Sequence, residues 1–136
     1  MKTLEELIKH YESYSEKPYK DTVGKLTIAY GRNLDDRGIS PDEAELMLDN
    51  DILMCKTEMS PYTWYYGKPP HVRDALVRMC YNLGLTRLLK FKKMLAALEV
   101  GDYNTAAIEA LDSKWAGQVG CRAIDIACMI RGANEP

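Results

Sequence analysis

The sequence predicts a mainly helical α+β fold. Apolar positions recur at helical spacing through most of the chain, and only the stretch around residues 18–31 alternates as short strands do. A third sign is Ser40-Pro41-Asp42-Glu43, the clearest helix start in the chain. It has a cap, a proline at the first helical position and acids in the first turn. With 136 residues, 46% of them hydrophobic, the chain suits one domain with a sizeable core and two lobes sharing a helix.

Thr3 followed by Glu6 reads as a capping box, and Leu4, Leu7, Ile8 and Tyr11 mark one face of the helix it opens. Glu12 extends that face near the carboxyl end. Pro18 ends any helix, and short extended segments flank a turn at Asp21-Thr22-Val23-Gly24. Leu26, Ile28 and Tyr30 alternate with Lys25, Thr27 and Ala29, so Thr27 should point away from the apolar set and towards the side of Asp21. Gly31 and Gly38 permit bends around a loop at 33–37.

The helix from Ser40 should run to about Met59. Asp51 shares a face with Ala44, Met47, Leu48 and Met54, which predicts a buried or half-buried aspartate with Arg32 as its partner. Two exposed charges are the alternative, worth under about 1 kcal/mol. Residues 60–70 are bounded by prolines and rich in aromatics. Such rings can stack on sugars, but folding back on the core is favoured. Val72, Leu76, Met79 and Leu83 then define a helix closed by Gly84. Phe91, Met94, Leu95 and Leu98 define another ended by Gly101. Asp102 caps a third through Ala106, Ala107 and Ile108, and a last one carries Ile124, Ala127, Cys128 and Ile130 to Gly132.

Bulk properties narrow the function. Lys and Arg number 9 against 13 Asp and Glu in residues 1–70, and 9 against 7 in residues 71–136, so steering towards a polyanion should be weak. Basic residues do not cluster with aromatics as a nucleic-acid groove requires. No apolar run approaches the roughly 20 residues of a membrane span, and the amino terminus lacks a signal-peptide pattern. Cys55, Cys80, Cys121 and Cys128 form no metal-binding spacing and are expected to be reduced and buried. There is no Gly-rich phosphate loop, no G-x-S-x-G and no zinc motif, and His10 and His71 are isolated. No cofactor or metal is expected.

What remains is a pair of carboxylates nine residues apart. A carboxyl at the end of an apolar helical face loses water and meets the negative end of the helix dipole, which makes Glu12 a candidate general acid. A solvent-facing glutamate in a frayed turn is the alternative. Asp21, in a polar turn, should stay ionised and serve as base or electrostatic partner, with Thr27 holding a water. Two carboxyl groups in different surroundings are the minimum equipment for cleaving a glycosidic bond.

Tyr19-Lys20-Asp21-Thr22, Gly24 and Thr27-Ile28-Ala29-Tyr30-Gly31-Arg32-Asn33-Leu34-Asp35-Asp36 resemble the active-site segment of phage-type lysozymes, the endolysins that cut peptidoglycan. Ser40 to Ile52, Tyr81-Asn82-Leu83-Gly84, Ser113, Trp115, Gln118 and Arg122 are similar to family positions in the same order. The resemblance implies a lysozyme-like fold. A hairpin lobe would span about 13–40, a connecting helix about 41–60, and a helical lobe about 71–136 together with residues 1–12. It implies a monomeric glycoside hydrolase that cuts, with inversion, the β-1,4 bond between N-acetylmuramic acid and N-acetylglucosamine. Glu12, Asp21 and Thr27 would be catalytic.

By the same resemblance, Arg122 would pair with Glu12 across a cleft, with Trp115 and Gln118 as its neighbours. Tyr81 and Asn82 would line that cleft and Asn33 its edge. Synthesis in the host cytoplasm, without a membrane anchor, would require a holin before the enzyme meets the wall. Two positions depart from the family pattern, since Ser13 and Ala29 stand where it usually has glycine. They motivate a second reading, a lysozyme-fold module that binds glycan or protein with little or no catalysis. A lytic transglycosylase is a third, disfavoured by the presence of both Asp21 and Thr27.

Overall fold

The computed structural model describes residues 1–132. Contacts divide the chain into two units, Met1–Met47 and the remainder from Leu48.

In the first unit, α1 (Leu4–Glu12) starts where Thr3 Oγ1 accepts the Glu6 N–H at 3.1 Å. The expected apolar stripe exists, but nothing in this unit covers it: Leu4, Leu7, Ile8 and Tyr11 are all exposed, Tyr11 at 80%. Grouping α1 with the sheet departs from the expected grouping of residues 1–12 with the later helices.

The chain then forms β1 (Ser15–Lys20), β2 (Leu26–Ala29) and β3 (Arg32–Asn33), an antiparallel sheet in the order β1-β2-β3. Pro18 lies in the edge strand β1, at a register irregularity between Ser15 and Tyr19. There a missing N–H costs no ladder bond. The alternating apolar set is not the buried one. Thr27, 4% exposed, is the most buried residue of this unit, while Leu26 and Tyr30 are exposed. Thr27 occupies the middle of the sheet, opposite Tyr19 on one side and Asn33 on the other.

The expected 33–37 loop is instead a helical turn, α2 (Leu34–Arg37), because Asn33 Oδ1 caps it by accepting the Asp36 N–H at 3.0 Å. Its acids close onto β2: Asp35 Oδ2 accepts the Leu26 N–H at 2.7 Å, and Lys25 Nζ pairs with Asp36 at 3.2 Å.

The next helix, α3 (Pro41–Met59), has the expected span. Its start is a reciprocal box in which Ser40 Oγ accepts from Glu43 N–H at 3.2 Å and Glu43 Oε1 accepts from Ser40 N–H at 2.9 Å. Glu43 also takes the Arg32 guanidinium in a two-pronged pair, and Arg32 Nη1 donates to Gly38 O at 3.1 Å. This corrects the expected Arg32–Asp51 pair. Glu43 is already anchored by Ser40 and eleven residues from Arg32, whereas Asp51 is exposed.

In the second unit the prolines and aromatics of 60–70 fold back as expected. Trp64 and Tyr65 are buried, and Tyr62 stacks on Trp64 with ring centroids 5.0 Å apart. Six helices follow: α4 (Pro70–Leu83), α5 (Leu85–Leu88), α6 (Lys92–Glu99), α7 (Tyr103–Leu111), α8 (Lys114–Val119) and α9 (Cys121–Arg131). The apolar faces of α4, α6, α7 and α9 meet around Leu76, Met79, Met94, Leu98, Ile126 and Ile130. On α9 the core residue is Ile126 rather than the expected Ile124, which is exposed. Asp102 and Ser113 cap α7 and α8.

All four cysteines are free thiols. Cys55, Cys80 and Cys128 are buried, and Cys121, against expectation, is exposed. Burial, then the neighbouring Cys55, pushes the Cys80 thiol up to about 12. No helix among the described residues is long and apolar enough to cross a membrane.

The Arg32–Glu43 pair makes the first unit sensitive to acid. The Arg32 hydrogen bond, then those of Ser40, lowers the Glu43 carboxyl from an ordinary 4.5 to about 2. A depressed carboxylate pKa contributes stability that is complete above the ordinary value and lost as pH falls through the depressed one. Thermal melts should therefore show the wild type most ahead of Glu43→Gln above about pH 4.5. That gap should close on the way to about pH 2. A gap that stays constant down to pH 2 contradicts the assignment.

Candidate active site

Glu12 is the last residue of α1 and is exposed, the solvent-facing alternative of the sequence reading; within its own unit nothing covers the apolar face it extends. Its carboxyl lies directly over Gly31, in the turn after β2.

Asp21 holds the β1–β2 turn. Its Oδ1 accepts the N–H groups of Val23 at 2.9 Å and Lys25 at 2.8 Å, while its main chain bonds to Lys25 O and Gly24 N. Among the described residues Oδ2 accepts no hydrogen bond. Thr27 Oγ1 donates to Lys25 O at 2.9 Å. The main chain of Lys25 thus bonds to both candidates, with its N–H on Asp21 and its carbonyl on Thr27. Because the Thr27 proton is spent on that carbonyl, its oxygen remains as an acceptor for a water hydrogen.

Asn33 has its amide committed at both ends, accepting from Asp36 N–H and donating to Asp36 Oδ2 at 2.9 Å. Its role here is to cap α2.

The remaining expected residues belong to the second unit, where they surround two concavities. One, of about 400 Å³, is lined by Leu48, Ile52, Val77, Tyr81, Asn82 and Arg122, among others. The other, of about 640 Å³, has Phe91, Trp115 and Gln118 in its wall. Asn82 joins the two walls, since its Oδ1 accepts the Trp115 Nε1–H at 2.9 Å. Trp115 is buried, as expected, and meets Phe91 edge-on at 6.0 Å. Arg122, Gln118 and Tyr81 are exposed. Among the described residues no group of three or more His, Cys, Asp or Glu is placed to hold a metal ion.

Two residues escape an analysis of side-chain chemistry. Lys25 acts through its peptide groups, which leave no mark on residue identity. Gly31 reads as a bend, and its contact with Glu12 becomes visible only in three dimensions.

Backbone strain sits at the two positions where glycine is missing. Among the described residues, Ser13 (φ 63) and Ala29 (φ 58) are the non-glycine residues with positive φ. Ser13 at ψ 161 lies in a region essentially reserved for glycine. It directly follows Glu12, and Ala29 lies two residues before Gly31. Strain is therefore concentrated around the carboxyl group of Glu12.

A mainly helical chain with a small three-stranded antiparallel sheet is a lysozyme-like α+β fold. Residues 9–127 match the family described as Phage lysozyme, and the chain belongs to that family. It is 31% identical over 116 residues to an endolysin of Acyrthosiphon pisum secondary endosymbiont phage 1, covering 80% of this chain and 74% of that one. It is 28% identical over 110 residues to a SAR-endolysin of Bacteriophage PS119, covering 78% of this chain and 65% of that protein's length. A probable T4-type lysozyme 2 of Dictyostelium discoideum is 26% identical over 151 residues, covering 89% of each.

Glycine at either strained position should relax the backbone. Ser13→Gly and Ala29→Gly are each expected to raise unfolding stability by about 1 kcal/mol, the φ relief outweighing the added freedom of the unfolded chain. Urea denaturation measures this directly, and a loss of stability at both positions contradicts the strain.

Proposed function

We propose that this chain is a muramidase, hydrolysing the β-1,4 bond between N-acetylmuramic acid and N-acetylglucosamine in bacterial peptidoglycan, in the service of host-cell lysis. The observation that carries the reading is the main chain of Lys25, whose N–H bonds to Asp21 and whose carbonyl accepts from Thr27. Both candidates are tied to one residue's main chain, which supports their acting on the same water.

In the proposed reaction Glu12 gives its proton to the leaving glycosidic oxygen as the bond to the anomeric carbon breaks. Water, donating one hydrogen to Thr27 Oγ1, yields its other proton to Asp21 as its oxygen attacks the opposite face of the sugar. The sugar configuration inverts, and proton exchange with solvent resets both carboxyls. A sugar seated over the exposed Glu12 would exclude water from it. Tyr81, Asn82, Gln118 and Arg122 are proposed to hold the glycan. Asn33 is proposed to border it through its α2 turn rather than by a free amide. A holin would admit the enzyme from the cytoplasm to the wall. The reading as a binding module draws support from the strain at Ser13 and Ala29, and the same assay separates the two.

Turbidity of permeabilised bacteria should fall on adding pure wild-type protein. Glu12→Gln should slow that lysis by at least roughly 100-fold with an unchanged melting temperature. Lysis by Glu12→Gln at the wild-type rate removes the acid assignment, and no lysis by the wild type favours the binding module. Asp21→Asn, which keeps the Oδ1 acceptor, should lose activity yet stay folded. Asp21→Ala should in addition loosen the turn by roughly 1–2 kcal/mol.

A further inference from the structure

Gly31 carries two constraints that the other glycines of the first unit do not combine. Its φ of +75° disfavours any side chain. Gly24 and Gly38 also have positive φ, but nothing lies within 4 Å of where their Cβ would stand. At Gly31 that point is 2.7 Å from Glu12 Oε2, 3.1 Å from Cδ and 3.5 Å from Cγ. All three nearest atoms belong to one side chain, the proposed acid.

Glu12 needs such a support. It is the last residue of α1, the chain turns away at Ser13, and its side chain has three rotatable bonds and an exposed surface. Its carboxyl makes no hydrogen bond with the described residues. The surface it rests on is therefore what limits where the acid can lie. We infer that Gly31 is a positioning residue for Glu12: the bare Cα is the floor that sets the height of the carboxyl over the sheet. The consequence for catalysis rests on the muramidase reading, whereas the contact itself does not.

A methyl group at 2.7 Å from an oxygen must be relieved, and the free end of a glutamate yields more readily than backbone. The carboxyl should be pushed off by somewhat under ~1 Å, a displacement that can cost a reaction on the order of 100-fold. Stability should suffer only the φ penalty. Gly67, at the same φ of +75° with nothing within 4 Å of its missing Cβ, isolates that penalty.

The experiment compares Gly31→Ala with Gly67→Ala. Both should melt a few degrees early, by about the same amount. Gly31→Ala alone should lower kcat on peptidoglycan by roughly 10- to 100-fold, with KM within about twofold, and displace the pH–rate profile. Its Glu12 side-chain carboxyl carbon, observed by carbon-13 NMR and assigned through Glu12→Gln, should shift, while in Gly67→Ala it should not. Wild-type kcat, a loss confined to KM, or an unmoved Glu12 resonance overturns the inference. If the wild type proves inactive, the muramidase reading fails and the resonance alone decides the contact. If Gly31→Ala does not fold, adding Glu12→Ala must restore folding, and failure to restore it also overturns the inference.

Discussion

The peptide groups of Lys25 are the fixed point on which the first unit depends. One N–H is given to Asp21 and one carbonyl is taken by Thr27, at 2.8 and 2.9 Å. Without the first bond Asp21 would hold the turn only through its Asx-type bond from the Val23 N–H. Without the second, the buried Thr27 hydroxyl would be left unsatisfied, at a cost of about 1–3 kcal/mol. Folding the hairpin and aligning two candidate catalytic groups are thus the same event. Asp35 and Asp36 brace the same corner from α2, through the Leu26 N–H and the Lys25 ammonium.

Against that rigid corner stands a strained one. Ser13 and Ala29 hold positive φ near Glu12, at a cost of about 1–3 kcal/mol each. The strain persists because neighbouring bonds dictate the geometry. Ser13 N–H closes α1 on Lys9 O at 3.0 Å, and Ala29 is paired opposite Ser15. The backbone path around the carboxyl is kept even where the residues fit it poorly, as expected if that path, more than local stability, serves the function.

The helices were legible in the sequence because their signals are local. Ser40-Pro41-Asp42-Glu43 marks the start of α3, Gly84 ends α4, and Asp102 caps α7. Burial was less legible. Periodicity says which residues share a face but not whether anything covers it, so Leu4 and Tyr11 are exposed where a core was expected. Strand alternation set Thr27 apart from the apolar residues but did not show that Thr27, central in the sheet, is the buried one. The Arg32 partner was misread because several acids lie within reach of a long guanidinium, and helix-face reasoning cannot see that Ser40 has already oriented Glu43. Contacts place Glu12 in the same unit as Asp21 and Thr27, although the sequence grouped residues 1–12 with the later helices. The supports under them, a peptide group and a missing Cβ, have no signature in residue identity.

The central claim is that a water held at Asp21 and Thr27 completes the cleavage. Digesting purified peptidoglycan in heavy-oxygen water and weighing the released fragments tests it most directly. The account predicts fragments ending in N-acetylmuramic acid that carry one labelled oxygen at the new reducing end. Unlabelled anhydro-sugar ends would contradict it, because the bond would then have been broken without that water.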